Sequence, residues 1–212
     1  MILYGSSLSP FVRKTLAVAS EKGMTLEVKP VALQAADPAF REASPFGKMP
    51  GFRDGDFAIS DSTAIITYLE AIQPEPSMIP AEPKDRARTI WYEEFADTIL
   101  IAAGGKMFFN RVVMPRFLGK PGDEAAASHA ETVEMPPILK YIEGVIPDCG
   151  YLVAGRLTLA DLAVASPFVN LDHVGFKVDP AVYPKTAAYV AKILARPSFA
   201  ANIAAEKKML AG

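Results

Sequence analysis

Short apolar runs alternate with helical patterns through the first third of the chain. Ile2–Tyr4 reads as a strand, and a helix follows from Pro10 to about Lys22, where Gly23 can end it. A second strand is expected at Leu26–Val31. After an irregular stretch rich in Ala, Pro and Asp, two strands are expected at Gly51–Arg53 and Phe57–Ile59, joined by the turn residues Asp54, Gly55 and Asp56. Asp61 then opens a helix whose apolar positions Ile65, Ile66, Leu69 and Ile72 follow the 3.6-residue period. The order strand, helix, strand, helix, hairpin, helix predicts a small α/β unit.

Pro74, Pro76, Pro80 and Pro83 crowd the next stretch, a density incompatible with regular helix that marks a stiff connector. Beyond it strand signals vanish. Ile90, Trp91, Phe95, Ile99 and Ala102 begin a series of helical patterns that runs to the end of the chain. The expected division is therefore residues 1–76 as an α/β domain, 77–83 as linker and 84–212 as an all-α domain.

Half of the 212 positions are apolar, enough for a substantial core. Lysine and arginine number 22 against 24 acidic residues, so the net charge of -2 offers no attraction to nucleic acid or to an anionic membrane. A small-molecule ligand is expected. The lone Cys149 cannot form an internal disulfide, and no stretch reaches the ~18 consecutive apolar residues of a membrane helix. The start MILYGSSLSPFVRK lacks the order of a signal peptide, so the expected compartment is the cytoplasm.

Three short segments carry candidate chemistry. Ser9 precedes Pro10 at the start of a helix, where it can act as a plain cap, or can donate its hydroxyl to an anion that the free helix amides also favour. A thiolate brought by a ligand is such an anion. Met49 precedes Pro50 at a strand entrance; the bond between them is either an ordinary trans bond or a cis bond that turns the backbone groups of Met49 outward. Asp61 and Ser62 head the third helix, where they can cap it or hold the two charges of an amino acid head group.

Taken together, SPFVRK after the first strand, GKMP before the hairpin, DGDFAISDS into the third helix, and TLADLAVA and YPKTAAYVAKILARPSF in the second half resemble the cytosolic glutathione transferases over essentially the whole chain. The resemblance implies a thioredoxin-like N-terminal domain, an all-helical C-terminal domain, a detoxifying enzyme and a homodimer. It implies glutathione as co-substrate, with Met49 and Pro50 at its cysteinyl part, Asp61 and Ser62 at its γ-glutamyl end, and Lys48 near its glycyl carboxylate. Ser9 would be the catalytic group, of a serine type similar to bacterial members. Redox branches of the family carry cysteine at that place, and a serine cannot exchange disulfides, which points to conjugation. The run SSLS, with Ser6 and Ser7, is partly similar to glutathione-dependent isomerases of the maleylacetoacetate type, an alternative activity. A transferase-like fold serving only as an interaction module is another. Several branches of the family use a tyrosine near the first strand, which gives Tyr4 that role as an alternative to strand packing; its place inside the strand favours packing.

An apolar electrophile is expected beside the sulfur, with Phe11, Met107 and Phe108 as candidates to line its pocket and core packing as the other role of the Met107–Phe109 cluster. His129 and His173 lack partners at ligand spacing, so no metal is expected. Thr158–Asp161 has the form of a capping box, with Leu157 and Leu162 as its staple, and starts a helix apolar nearly all round that should be buried.

Overall fold

The computed structural model describes residues 1–31 and 37–211. They divide into two compact units, Met1–Met78 together with Pro197–Gly212, and Ile79–Arg196. The division falls inside the proline-rich stretch. Where the sequence reading grouped 84–212 together, the last helix groups with the N-terminal unit.

In the first unit, β1 (Ile2–Tyr4), α1 (Pro10–Glu21), β2 (Glu27–Lys29), α2 (Pro38–Ala43), β3 (Gly51–Asp54), β4 (Phe57–Ser60) and α3 (Ser62–Ile72) follow in order. The four strands form one sheet in the order β2-β1-β3-β4, with β1 and β2 parallel and the other pairs antiparallel. β2 is shorter than the expected Leu26–Val31. Alternation along the strands sends Leu3 and Phe52, paired across β1 and β3, to one face, where they meet Val12, Ala19, Leu26, Ile65 and Leu69. Tyr4 goes to the other face with Phe40 and Ala43. Its role is packing: it is 2% exposed, with its ring centroid 6.3 Å from that of Phe40. In α3 the periodic positions Ile65, Ile66 and Leu69 are fully buried as expected, whereas Ile72 in the last turn is exposed. Each fully buried side chain of this size contributes about 1.5–3 kcal/mol.

The second unit is helical. Its first helix, α4 (Pro83–Glu94), runs through π-helical turns at Phe95–Leu100 into α5 (Ile101–Phe108) and further π-helical turns at Phe109–Phe117. α6 (Glu124–His129), α7 (Met135–Val145), α8 (Leu159–His173) and α9 (Pro184–Leu194) follow. The large apolar residues that suggested the phase of the first helix are partly misleading, because Trp91 and Ile99 are exposed. The buried stripe is Thr89, Glu93, Ala96, Leu100, Ala103 and Met107, still at helical spacing but rotated from the expected one. Two polar residues and two alanines on that stripe disguise it. α8 is the core helix, with every position from Leu159 to Leu171 buried. No helix among the described residues is long and apolar enough to cross a membrane.

The start of α8 is held by Asp161. Its Oδ2 accepts from the Thr158 amide at 2.9 Å, and its Oδ1 accepts from the Leu152 amide at 2.9 Å and the Tyr189 hydroxyl at 3.2 Å. Burial pushes the Asp161 carboxyl up to about 6 against these bonds, and burial beside Asp161 raises the Tyr189 phenol as well.

The last helix, α10 (Pro197–Ala211), packs on α1 in the first unit. The Ser198 hydroxyl donates to Glu21 at 2.6 Å. Toward the other end, Arg13 Nε and a terminal nitrogen donate to the two carboxylate oxygens of Glu206 at 2.9 and 2.8 Å, with both side chains fully buried. Desolvation lowers the Arg13 guanidinium from its ordinary value, and Glu206 opposes that shift.

The raised carboxyl of Asp161 sets a pH test. Between about pH 4 and pH 6 the folded chain keeps a proton here that the unfolded chain has released, so this stabilising contribution is full below about 4 and is lost as pH rises through about 6. Denaturant unfolding of Asp161→Asn and the parent across that window should show the parent losing on the order of 2–3 kcal/mol relative to the variant. A relative gain with rising pH would mean that the amides hold the carboxylate ionised.

Candidate functional site

The sheet register brings the three candidate segments to one end of the sheet. Tyr4 pairs with Gly51, and Gly51 with Ser60, so these residues form a single row. The chain leaves that row from Tyr4 toward Ser9, enters it at Gly51 from Met49 and Pro50, and leaves it from Ser60 into Asp61 and Ser62. Gly5 draws the first two segments together. A Cβ there would lie 2.6 Å from a Val12 methyl and 3.6 Å from the Met49 Cβ, so only glycine lets α1 and the Met49 loop approach this closely.

Ser9 is the N-cap residue of α1, with φ -77 and ψ 123, and Pro10 occupies the first helical position. Its amide donates to the Ser6 carbonyl and its carbonyl accepts from the Arg13 amide, each at 2.9 Å. The hydroxyl accepts no helix amide. The plain capping role is therefore unfilled, and this partly exposed residue stands beside amides whose partial positive charge favours an anion.

The Met49–Pro50 bond is cis. The loop before it is closed by the buried Ser44, whose hydroxyl donates to the Lys48 carbonyl at 2.7 Å and whose carbonyl accepts from the Gly47 amide at 2.8 Å. Lys48 is exposed, Met49 partly exposed and Pro50 buried. Gly47 has a φ of +67, a conformation that favours glycine. Ser44 belongs to the candidate loop segment by sequence, which assigns it no role, and Gly5 to none. A glycine immediately after a strand and a serine before a Pro-containing loop were the available signals.

Asp61 caps α3, with Oδ1 accepting from the Thr63 amide at 2.9 Å and the Ala64 amide at 3.1 Å. The residue is exposed and holds a φ of +81, a sparsely populated conformation for a side chain with a Cβ. Ser62 begins the helix and is 2% exposed. Capping is thus realised at Asp61, and the strain there is of the kind that accumulates at ligand sites.

Phe11 lies on the same turn of α1 as Ser9 and is partly exposed. Met107 and Phe108 belong to the helical unit, where Met107 is fully enclosed and Phe108 is 7% exposed, its ring 6.3 Å from that of His173. Ser6 accepts a long bond from the Leu8 amide at 3.4 Å, so it serves the turn between β1 and α1. Among the described residues no group of three or more His, Cys, Asp or Glu side chains is placed to hold a metal ion.

Family models describe this arrangement. Residues 3–77 match the N-terminal domain of glutathione S-transferase, and residues 110–206 match its C-terminal domain. A glutathione S-transferase of Hyoscyamus muticus is 33% identical over 211 residues, covering 96% of this chain and 97% of the relative. The elongation factor 1-gamma of Schizosaccharomyces pombe is 34% identical over 164 residues, which span 76% of this chain and 38% of that longer protein. Among solved structures, a glutathione S-transferase from Rhodospirillum rubrum superimposes with a TM-score of 0.85 at 25% identity, over 93% of this chain and 89% of its own. The thioredoxin-like and helical units, the two matched domain models and a full-length relative one-third identical place this chain in the glutathione S-transferase family of enzymes.

Proposed function

We propose that the chain binds glutathione at the sheet end defined by Tyr4, Gly51 and Ser60, and that the Ser9 hydroxyl donates to its sulfur so that a thiolate attacks an apolar electrophile. The observation that carries this reading is the state of Ser9: a helix N-cap whose hydroxyl is not committed to the helix it caps. Asp61 and Ser62 take the γ-glutamyl ammonium and carboxylate, the backbone of Met49 ahead of Pro50 takes the cysteinyl part, and Lys48 reaches the glycyl carboxylate. Phe11, two positions beyond Ser9, offers an apolar surface to the electrophile. The working form is a cytoplasmic homodimer.

A free thiol with a pKa of about 8.5 is only a few per cent ionised at neutral pH. A hydrogen bond to a charged acceptor contributes about 1.5–3 kcal/mol, which at about 1.4 kcal/mol per unit lowers the bound thiol by roughly one to two units. One hydroxyl is thus sufficient to make thiolate abundant at pH 7. Conjugation then needs no base, since the proton leaves the sulfur for solvent on binding, the sulfur lone pair forms the bond to carbon, and the pair of the bond broken departs with the displaced group, chloride in the case of chlorodinitrobenzene.

Ser9→Ala should leave glutathione affinity nearly intact and lower the conjugation rate at pH 7 by about tenfold or more, with the deficit shrinking as pH rises past the thiol pKa. Rate profiles with chlorodinitrobenzene as probe electrophile check this, and full activity at pH 7 would pass the role to another group. At the other subsite, Asp61→Asn is the discriminating change. Asparagine caps as well as aspartate but carries no charge, so the melting temperature should hold while glutathione affinity falls roughly tenfold. Calorimetric titration with glutathione measures it. The same titration on the parent chain tests the whole reading, because a strong likeness also extends to an elongation factor, and a folded chain that binds no glutathione overturns it.

A further inference from the structure

The N-terminal turn of α1 carries the proposed catalytic serine, yet it lacks the side-chain cap that would ordinarily steady such a turn. What steadies it comes from the other end of the sequence. Glu21 meets Ser198 and Arg13 meets Glu206, so stepping back eight residues along α1 corresponds to stepping forward eight along α10. The two helices therefore run antiparallel in strict register, over a length of about 12 Å. Two fixed points hold α1 both along its axis and about it. The upper one is a two-bond fork between fully buried groups, a geometry that tolerates little rotation.

Arg13 is also the residue whose amide donates to the Ser9 carbonyl at 2.9 Å and so closes the first turn. A shift of Arg13 is passed directly to Ser9. Beside it Val12 abuts Gly5, which leaves the turn no slack on the sheet side. Of the neighbouring cations, Lys14 lies 6.0 Å over the Phe11 ring of the same helix, and Lys22, just past its end, bonds Glu70 and the Pro76 carbonyl.

We propose that the Arg13–Glu206 pair positions Ser9, so that the C-terminal helix, through a buried ion pair one turn below the serine, sets how strongly the bound thiol is ionised. The proposal rests on the serine reading given above. Arg13 and Glu206 are positioning residues, and the reacting atoms are touched by Ser9 alone of the three. A hydroxyl displaced by a fraction of an ångström still permits glutathione to bind through its other contacts, but the bond to sulfur weakens.

The test measures the pKa of enzyme-bound glutathione by thiolate ultraviolet absorbance, with the pH profile of kcat for chlorodinitrobenzene beside it. Glu206→Gln keeps the shape and one acceptor while removing the charge. It should raise the bound-thiol pKa by about one unit and lower kcat at pH 7 roughly fivefold to tenfold, with rates converging at high pH and glutathione affinity within about twofold of the parent. Placed on Ser9→Ala, the same change should add nothing further, as expected for two residues acting through one bond. Replacing the pair together, Arg13→Met with Glu206→Leu, covers the case in which the single variant does not fold, since apolar replacement of a buried pair commonly preserves the fold. It should show the same rise. A variant that melts earlier but keeps the parent's thiol pKa and kcat profile overturns the proposal, as does a shift that persists undiminished without Ser9. Ser9→Ala with an unchanged thiol pKa would overturn the serine reading instead, whatever Glu206 does.

Discussion

The constraint on which the rest depends is the register of β1, β3 and β4. Because Tyr4, Gly51 and Ser60 share one row, three segments far apart in sequence emerge at the same end of one small sheet. A slip of one residue in either pairing would send Leu3 or Phe52 out of the core, so the apolar pattern that folds the sheet also aligns the loops. Packing and function therefore use the same information. Gly51 shows how tightly they are joined, since a Cβ there would touch Phe40 and Ala43 at 3.3 Å, and those residues belong to the helix that precedes the Met49 loop.

Much of this was legible in the sequence. Strand and hairpin positions follow from short apolar runs and the Asp54–Asp56 turn, and α8 from its unbroken apolar face and capping box, because those features are local. The phase of α4 was harder. Its buried stripe carries Thr89 and Glu93 while Trp91 lies exposed, and a pattern weighted by hydrophobicity follows the tryptophan. Burial of polar residues is decided by tertiary partners, which a local pattern does not contain. The membership of α10 in the first unit was hidden for the same reason. It depends on Arg13 meeting Glu206, 193 residues away, and each of the two reads as an ordinary surface charge until they are paired.

At the site, residue identities were legible and their states were not. Asp61 and Ser9 both stood before a helix as residues that cap well, with the same two roles open to each. The structure separates them: one oxygen of Asp61 takes two helix amides, whereas the Ser9 hydroxyl takes none. No rule of composition distinguishes a cap that is used from one that is not. Backbone entry alone does not set the difference between them, since Glu82 and Asp123 cap their helices from the same extended conformation that Ser9 holds.

That difference suits the two chemistries. A carboxylate has two oxygens and several lone pairs, so Asp61 can cap its helix through Oδ1 and still present negative charge to an ammonium. A hydroxyl has one proton. Capping would use one of its lone pairs and leave that proton, but it would hold the oxygen over the helix amides, whereas an uncommitted oxygen is free to turn toward a ligand beyond the helix end. Leaving Ser9 out of the cap costs the helix about 1 kcal/mol of the stability that a serine usually contributes there. The first turn of α1 is secured instead by Val12 against Gly5 and by Arg13 in the fork of Glu206. The stability of the turn and the freedom of the Ser9 hydroxyl are thereby assigned to different residues, which is the separation that the proposed donor role would use.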